Sequence, residues 1–115
     1  MDLADELTKN IKALRNSAEL VYKTGDYTGA FILYFKALLA VCDYGLLKAG
    51  FGAPKDHSER FRVLEKRFPD VYAQLDYLFK FYRQTYSTTV KKSVCDEAAK
   101  SVEVYSKKFT VPENH

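Results

Sequence analysis

The sequence predicts an all-α fold, an up-and-down antiparallel bundle of four to five helices. Three observations lead there. Apolar residues recur at spacings of three and four along nearly the whole chain, and no segment shows the period-two alternation of a half-buried strand. Five glycines and three prolines are too few for a loop-rich or fibrous protein. Apolar residues make up 47% and charged residues 29% of 115, so the chain can enclose one core and is too apolar for disorder. Residues 1–109 therefore read as a single helical domain and 110–115 as a tail.

In the first helix Ala4, Leu7, Ile11, Leu14, Ala18 and Val21 share one face. Asp2 or Asp5 caps its start, where a carboxylate meets unpaired N–H groups and the positive end of the dipole. Gly25 ends the helix by taking positive φ, and Asp26 caps the next one. That second helix, Tyr27 to Ala49, carries Phe31, Ile32, Leu33, Tyr34, Phe35, Ala37, Leu38, Leu39, Ala40 and Val41 around most of its circumference. A helix apolar on nearly all sides lies inside a bundle or is shared with a partner chain, which makes it the central element. Lys36 and Asp43, two turns apart, mark either a solvated edge or a buried polar site.

Gly50, Gly52 and Pro54 mark the only long loop. Asp56 and Ser58 both suit the cap of a third helix, which runs through Phe68 with a thin apolar face of Phe61, Leu64 and Phe68. Pro69 ends it or opens the fourth helix, where a missing N–H is harmless. Helix four, Asp70 to about Tyr86, has a stripe of Val71, Leu75, Leu78, Tyr82 and Tyr86; Tyr72, Tyr77, Phe79 and Phe81 fall outside it. Ser87 to Val90 is a poor helix former and marks a break. A last helix, Lys92 to Phe109, buries Val94, Ala98, Val102, Tyr105 and Phe109. The tail from Thr110 to His115 carries Pro112 and is expected to fray.

Several function classes are disfavoured. Cys42 and Cys95 form no disulfide framework, which fits a reducing, cytoplasmic setting, and Cys42 reads as an inert core thiol. The N-terminal stretch is acidic and amphipathic, unlike a signal peptide. The apolar run from Ala30 to Leu47 is interrupted by Lys36, Asp43 and Gly45, so no membrane is expected. Only two histidines exist, and His57 has Asp56 and Glu59 beside it but no second imidazole, so neither a metal nor a cofactor is expected. Glycine-rich phosphate loops and nucleophile elbows are missing from the sequence. The net charge of +3 demands no nucleic acid, yet it is uneven: six basic and six acidic residues precede Gly50, and twelve basic and nine acidic follow. Arg60, Arg62, Lys66 and Arg67 crowd helix three, interleaved with Glu59, Glu65 and Asp70, as a solvated face or a phosphate-contacting one.

Two constellations carry chemistry. Arg83 sits among Tyr82 and Tyr86, where a guanidinium can stack on rings and hold a phosphate or carboxylate, or simply cover apolar surface or pair with Asp76. The surplus aromatics Tyr34, Tyr72, Phe79 and Phe81 predict a two-fold interface in a homodimer, because a symmetric apolar patch covers itself against its copy. Separately, Tyr22, Gly25, Asp26, Tyr27, Ala30, Tyr34, Ala37 and Leu38 match the spacing of a tetratricopeptide-type hairpin. A step of about 34 residues from Gly25 reaches Glu59 and no second copy.

The order of these features resembles the HEPN family, small helical domains first seen in higher eukaryotic and prokaryotic nucleotide-binding proteins. The resemblance rests on Ala18 to Leu39 with its Gly25–Asp26–Tyr27 turn, on Pro54, His57 and Leu64 in PKDHSERFRVL, and on Arg83 with Tyr86. It implies a four- or five-helix bundle that often dimerises. Many members resemble metal-independent ribonucleases that use an Arg followed four to six residues later by His across the dimer interface. Arg83 matches the Arg, but Thr88, Thr89 and Val90, with Ser87 just before, stand where the imidazole should be, so no enzyme is expected by this motif. Other members act beside a minimal nucleotidyltransferase, which here would be a separate partner. The expected function is a self-associating module in which Arg83, Tyr82, Tyr86 and His57 contact the phosphate of a nucleotide or RNA. The alternatives are a toxin-like ribonuclease using Arg83 and a tetratricopeptide-like scaffold with Tyr22, Tyr27 and Tyr34 in its groove.

Overall fold

Three aspartates set the starts of three helices. Asp2, Asp26 and Asp56 accept from the backbone N–H of Asp5, Gly29 and Glu59 at 2.9, 2.8 and 2.9 Å, each satisfying one of the donors a helix start leaves unpaired. The computed structural model describes residues 2–113. In it α1 spans Leu3–Lys23, α2 Tyr27–Lys48, α3 His57–Arg67, α4 Pro69–Gln84 and α5 Lys92–Lys108. Pro69 opens α4 within its first turn. The fold is all-α, and no strand occurs among the described residues.

Helix ends follow the same local chemistry. Gly50, at φ +94°, donates to the carbonyl of Leu47 at 3.1 Å, and Phe51 donates to Leu46 at 2.9 Å. This paired closure satisfies two orphan carbonyls and reverses the chain. The end of α5 closes in the same way, with Thr110 donating to Lys107 at 3.2 Å and Val111 to Ser106 at 2.8 Å. Here the left-handed position is held by Thr110 at φ +56°. α4 stops at Gln84, short of the expected Tyr86. The hydroxyls of Thr85 and Thr88 bond the carbonyls of Tyr82 and Gln84 at 2.6 and 3.0 Å, taking up the helix's last acceptors.

α2 is the central element, as its composition requires. It packs against α1, α4 and α5, and Phe31, Phe35, Leu38 and Val41 are fully buried. By length and composition it could cross a membrane, but most of its apolar window is covered by the rest of the protein. Its neighbours' directions follow from contacts at its ends. Tyr22 of α1 meets Tyr27 of α2 edge to face at 5.2 Å, so these two form an antiparallel hairpin. Val90, just before α5, donates to the Thr28 hydroxyl at 2.8 Å, while Gly45, late in α2, faces the Phe109 ring at the end of α5. α2 and α5 therefore run the same way and pack directly. α4 returns against α5, with Phe68 on Phe109 at 5.2 Å and Gln74 donating to the Ser101 hydroxyl at 3.1 Å. α1 is tied to α5 by the Tyr22 hydroxyl, which donates to Asp96 at 2.7 Å. That hydrogen bond, followed by the nearby Lys92 ammonium, holds the Asp96 carboxyl below its ordinary value.

The chain beyond α5 departs from expectation. It does not fray from Thr110 onward: Val111 is only 8% exposed and packs into the core, because the closure at Thr110 folds the segment back on the bundle. The part of that expectation falling on Asn114 and His115 lies outside the described residues. Cys42 and Cys95 are both free and buried. Burial pushes their thiols up to about 12 and about 11, so neither is a thiolate nucleophile at neutral pH.

Gly45 permits the close approach of α5. A β-carbon there would lie 2.6 Å from Cγ of Phe109. Gly45→Ala is expected to destabilise the fold by about 1–3 kcal/mol in urea denaturation, the range for an overpacked core, and to cost less when combined with Phe109→Leu. Thr110→Gly is expected to do the reverse. It relieves a left-handed conformation that costs an L-residue roughly 1–2 kcal/mol, against a chain-entropy loss of about 0.5–1 kcal/mol, for a small rise in thermal midpoint.

Candidate functional site

The short α3 lies beside α4, and the residue that joins them is Phe79. Its ring meets Phe61 edge to face at 5.1 Å, His57 at 5.7 Å and, in stacked orientations, Phe35 at 6.1 Å and Tyr82 at 6.3 Å. Tyr82 in turn stacks on Phe35 at 4.8 Å. Offset and edge-on contacts of this kind suit the ring quadrupoles and add to the area buried. Arg83 places its guanidinium carbon 5.2 Å from the Phe79 centroid. Three of the four side chains expected to bind phosphate, His57, Tyr82 and Arg83, thus gather around one ring.

A charged triad stands next to this cluster. Arg60 donates from Nε and Nη2 to the two carboxylate oxygens of Asp43 at 2.6 and 2.9 Å. The pair is largely shielded, with side-chain exposures of 12% and 16%. The third arm of the same guanidinium, Nη1, lies 2.8 Å from Nδ1 of His57. Arginine has only donors, so Nδ1 must accept, and the neutral ring carries its proton on Nε2. His57 is fixed in orientation by Arg60, and its other nitrogen is an N–H donor. In this tautomer the ring offers no free basic nitrogen to take a proton from a substrate.

An open groove of about 500 Å³ runs past these groups, with Asn10, Lys36, Asp43, His57, Arg60 and Tyr82 among the residues that line it. Leu7 and Leu14 of α1 and Leu39 of α2 supply apolar wall. Among the described residues the only ion pairs within 4.0 Å are Arg60–Asp43 and Lys92–Asp96. Arg60 is neutralised by Asp43, so exposed Lys36 sets the net positive charge of the lining. The groove combines one unpaired ammonium with N–H and O–H donors, an arrangement suited to anionic oxygen.

The remaining sequence candidates fall elsewhere. Tyr86 is 87% exposed in the turn beyond α4 and does not join the cluster. Arg83 is exposed, has no ion pair with Asp76, and covers the Phe79 face as an amphipathic stem does. Tyr34 is 7% exposed inside the protomer, so it cannot form the dimer interface expected of it; α2 is covered on that side by the chain's own helices. Tyr72 and Phe79 are half-buried against Phe61 of α3, because that thin helix needs aromatic cover from α4. Phe81 is half-buried against Tyr77 at 5.3 Å, with the Lys80 ammonium over both rings. Of the tyrosines expected in a tetratricopeptide-like groove, Tyr34 is buried and the Tyr22 hydroxyl is bound to Asp96 of α5. Asn10 carries no signal in the sequence; Lys36 with Asp43 is readable there as a candidate polar site and Arg60 as a candidate phosphate contact, but the sequence does not show that Asp43 takes up Arg60. The available signal was Asp43 itself, a carboxylate set in an otherwise apolar helix. No cluster of three or more His, Cys, Asp or Glu able to hold a metal occurs among the described residues.

Arg60→Met is expected to cost about 3 kcal/mol, because it strands a shielded Asp43 carboxylate. Asp43→Leu combined with Arg60→Met should recover most of that loss, as denaturant midpoints at neutral pH would show. Comparison of the chain with protein-family models, with curated proteins and with solved structures finds no match.

Proposed function

We propose that this protein is a binding module that holds the phosphate of a nucleotide, or of an RNA end, in the groove between α1, α2, α3 and α4. The observation that carries this reading is the charge balance of the lining: Asp43 consumes Arg60 and leaves Lys36 as the free cation among donors. Lys36 meets the phosphate as a point charge. The Nε2–H of His57 and the Tyr82 hydroxyl donate to its oxygens, and Leu39 with the Tyr82 ring offers an apolar wall to a base. Arg83, just outside on Phe79, supplies a second cation for a longer phosphate chain.

The reading agrees with the HEPN-like order of sequence features, in which a helical domain of this kind works beside a nucleotidyltransferase carried by a partner. It favours binding over catalysis, because the imidazole at the groove is committed to Arg60 through Nδ1. The expected homodimer draws less support, since Tyr34, Tyr72 and Phe79 are spent within one protomer.

Titration of the protein with nucleoside mono-, di- and triphosphates and with 5′-phosphorylated short RNA, followed by amide chemical shifts, tests the reading. Binding should require the phosphate, weaken with salt, and fall by about tenfold in Lys36→Ala, the loss of one charge-assisted contact. Equal binding of the bare nucleoside, or unchanged affinity in Lys36→Ala, would overturn it. Metal-independent RNA cleavage that disappears in Arg83→Ala would replace it with the ribonuclease reading.

A further inference from the structure

Helices α2, α3 and α5 finish at one end of the bundle. Arg67, the last residue of α3, places its guanidinium carbon 5.1 Å from the ring centroid of Phe51, just beyond the closure of α2. Phe68, next in the chain, meets Phe109 at the end of α5 at 5.2 Å and has the Lys108 ammonium 5.9 Å from its centroid. Lys48, Lys66, Arg67, Lys107 and Lys108 therefore gather at this end, and all are exposed. None has a carboxylate within 4.0 Å among the described residues. Glu65 and Asp70 stand nearby and are too few to cancel them. Cations in a last turn offset the negative end of the helix dipole, which accounts for their positions. It does not account for the loop set among them.

Between Lys48 and Lys55 the chain reads Ala49, Gly50, Phe51, Gly52, Ala53 and Pro54, with no polar side chain in the whole connection. Ala49, Gly50, Phe51 and Ala53 are exposed, Phe51 at 42%. Gly50 and Gly52 both take positive φ, +94° and +74°, and a β-carbon at either would meet nothing within 4 Å. The loop thus stands off the bundle with its apolar groups in water, an unfavourable placement unless something covers them. A soluble polyanion would answer the cations and leave Ala53 and Pro54 uncovered. An anionic bilayer answers both, with acyl chains for the loop and lipid phosphates for the cations around it. We infer that this end of the bundle docks on an anionic lipid surface, with Phe51 inserted at the headgroup–acyl boundary and the five cations against the headgroups. Arg67 serves both layers, since its guanidinium lies over the ring and its fork matches a phosphate. The contact is with the face of a bilayer and needs no span, so the apolar window of α2 stays covered by the protein. It uses none of the residues of the phosphate groove and stands independently of that reading.

The test is co-sedimentation of the whole protein with vesicles of phosphatidylcholine alone and of phosphatidylcholine with about one-quarter phosphatidylserine, the anionic lipid of cytoplasmic leaflets. The protein should bind the second and not the first, and salt should weaken the binding. Lys66→Ala and Lys108→Ala should each lower it by about fivefold, the worth of one basic residue near an anionic bilayer. Phe51→Ser should lower it severalfold without changing its salt dependence. The chain has no tryptophan, so Phe51→Trp supplies a single reporter, whose emission should shift to the blue and be quenched by lipids brominated in the acyl chain. Tyr86→Trp, at the opposite end of the bundle and 87% exposed in the native residue, should show neither effect, which sets the orientation apart from any loss of folding. Equal binding to phosphatidylcholine alone, no binding to either vesicle, or quenching at position 86 as strong as at 51 would overturn the inference. A short single-stranded RNA that quenches the Phe51→Trp reporter while the vesicles fail to bind would assign this end to nucleic acid instead.

Discussion

A helix that is apolar around most of its circumference cannot be sheltered by one neighbour, and α2 imposes that condition on everything else. Phe31, Phe35, Leu38 and Val41 have no exposure, and each is worth roughly 1.5–3 kcal/mol of burial relative to water. Covering them takes α1 on one side and α4 and α5 on the others. The demand also explains the direct parallel contact of α2 with α5, where a glycine at position 45 lets the Phe109 ring close on the helix. The short α3 adds little apolar area of its own, so it is held to the bundle by rings lent from α4.

Function-bearing geometry arises where that cover is incomplete. Asp43 is the one carboxylate on α2, and a helix so deeply enclosed can keep it only if a cation arrives from outside. Arg60 does so from the first turns of α3, and its remaining arm fixes His57. One ion pair thereby docks α3, orients the imidazole and removes Arg60 from the charge available to a ligand. Lys36 is left to give the groove its sign. On the opposite side of α1 the balance is different: two cations and two carboxylates share a smaller pocket.

Much of the fold was legible in the residues. The Asp26 cap, the Gly25 turn and the nearly all-round apolar character of α2 are local or periodic features, and such features survive into the structure because neighbouring residues alone specify them; at the other helix starts the sequence narrowed the choice to Asp2 or Asp5, to Asp56 or Ser58, and to Pro69 as an end or an opening. The end of α4 was misjudged by two residues because threonine hydroxyls competing for carbonyls leave little trace in the periodicity. The fate of Thr110 and Val111 was misjudged for a related reason: the closure uses threonine where glycine would have announced it.

The sequence by itself determined an all-α chain, its five helices and the helix at their centre, since spacing and capping act within a turn or two. Only the tertiary structure decided which aromatics face inward and which charges cancel. Tyr34, Tyr72 and Phe79 looked like surplus surface until α3 and α5 were placed over them, and Arg60 looked like one of several free cations until Asp43, seventeen residues earlier, was brought to it. Pairings of that kind depend on how helices are set side by side, and a linear pattern carries the faces of each helix without their partners.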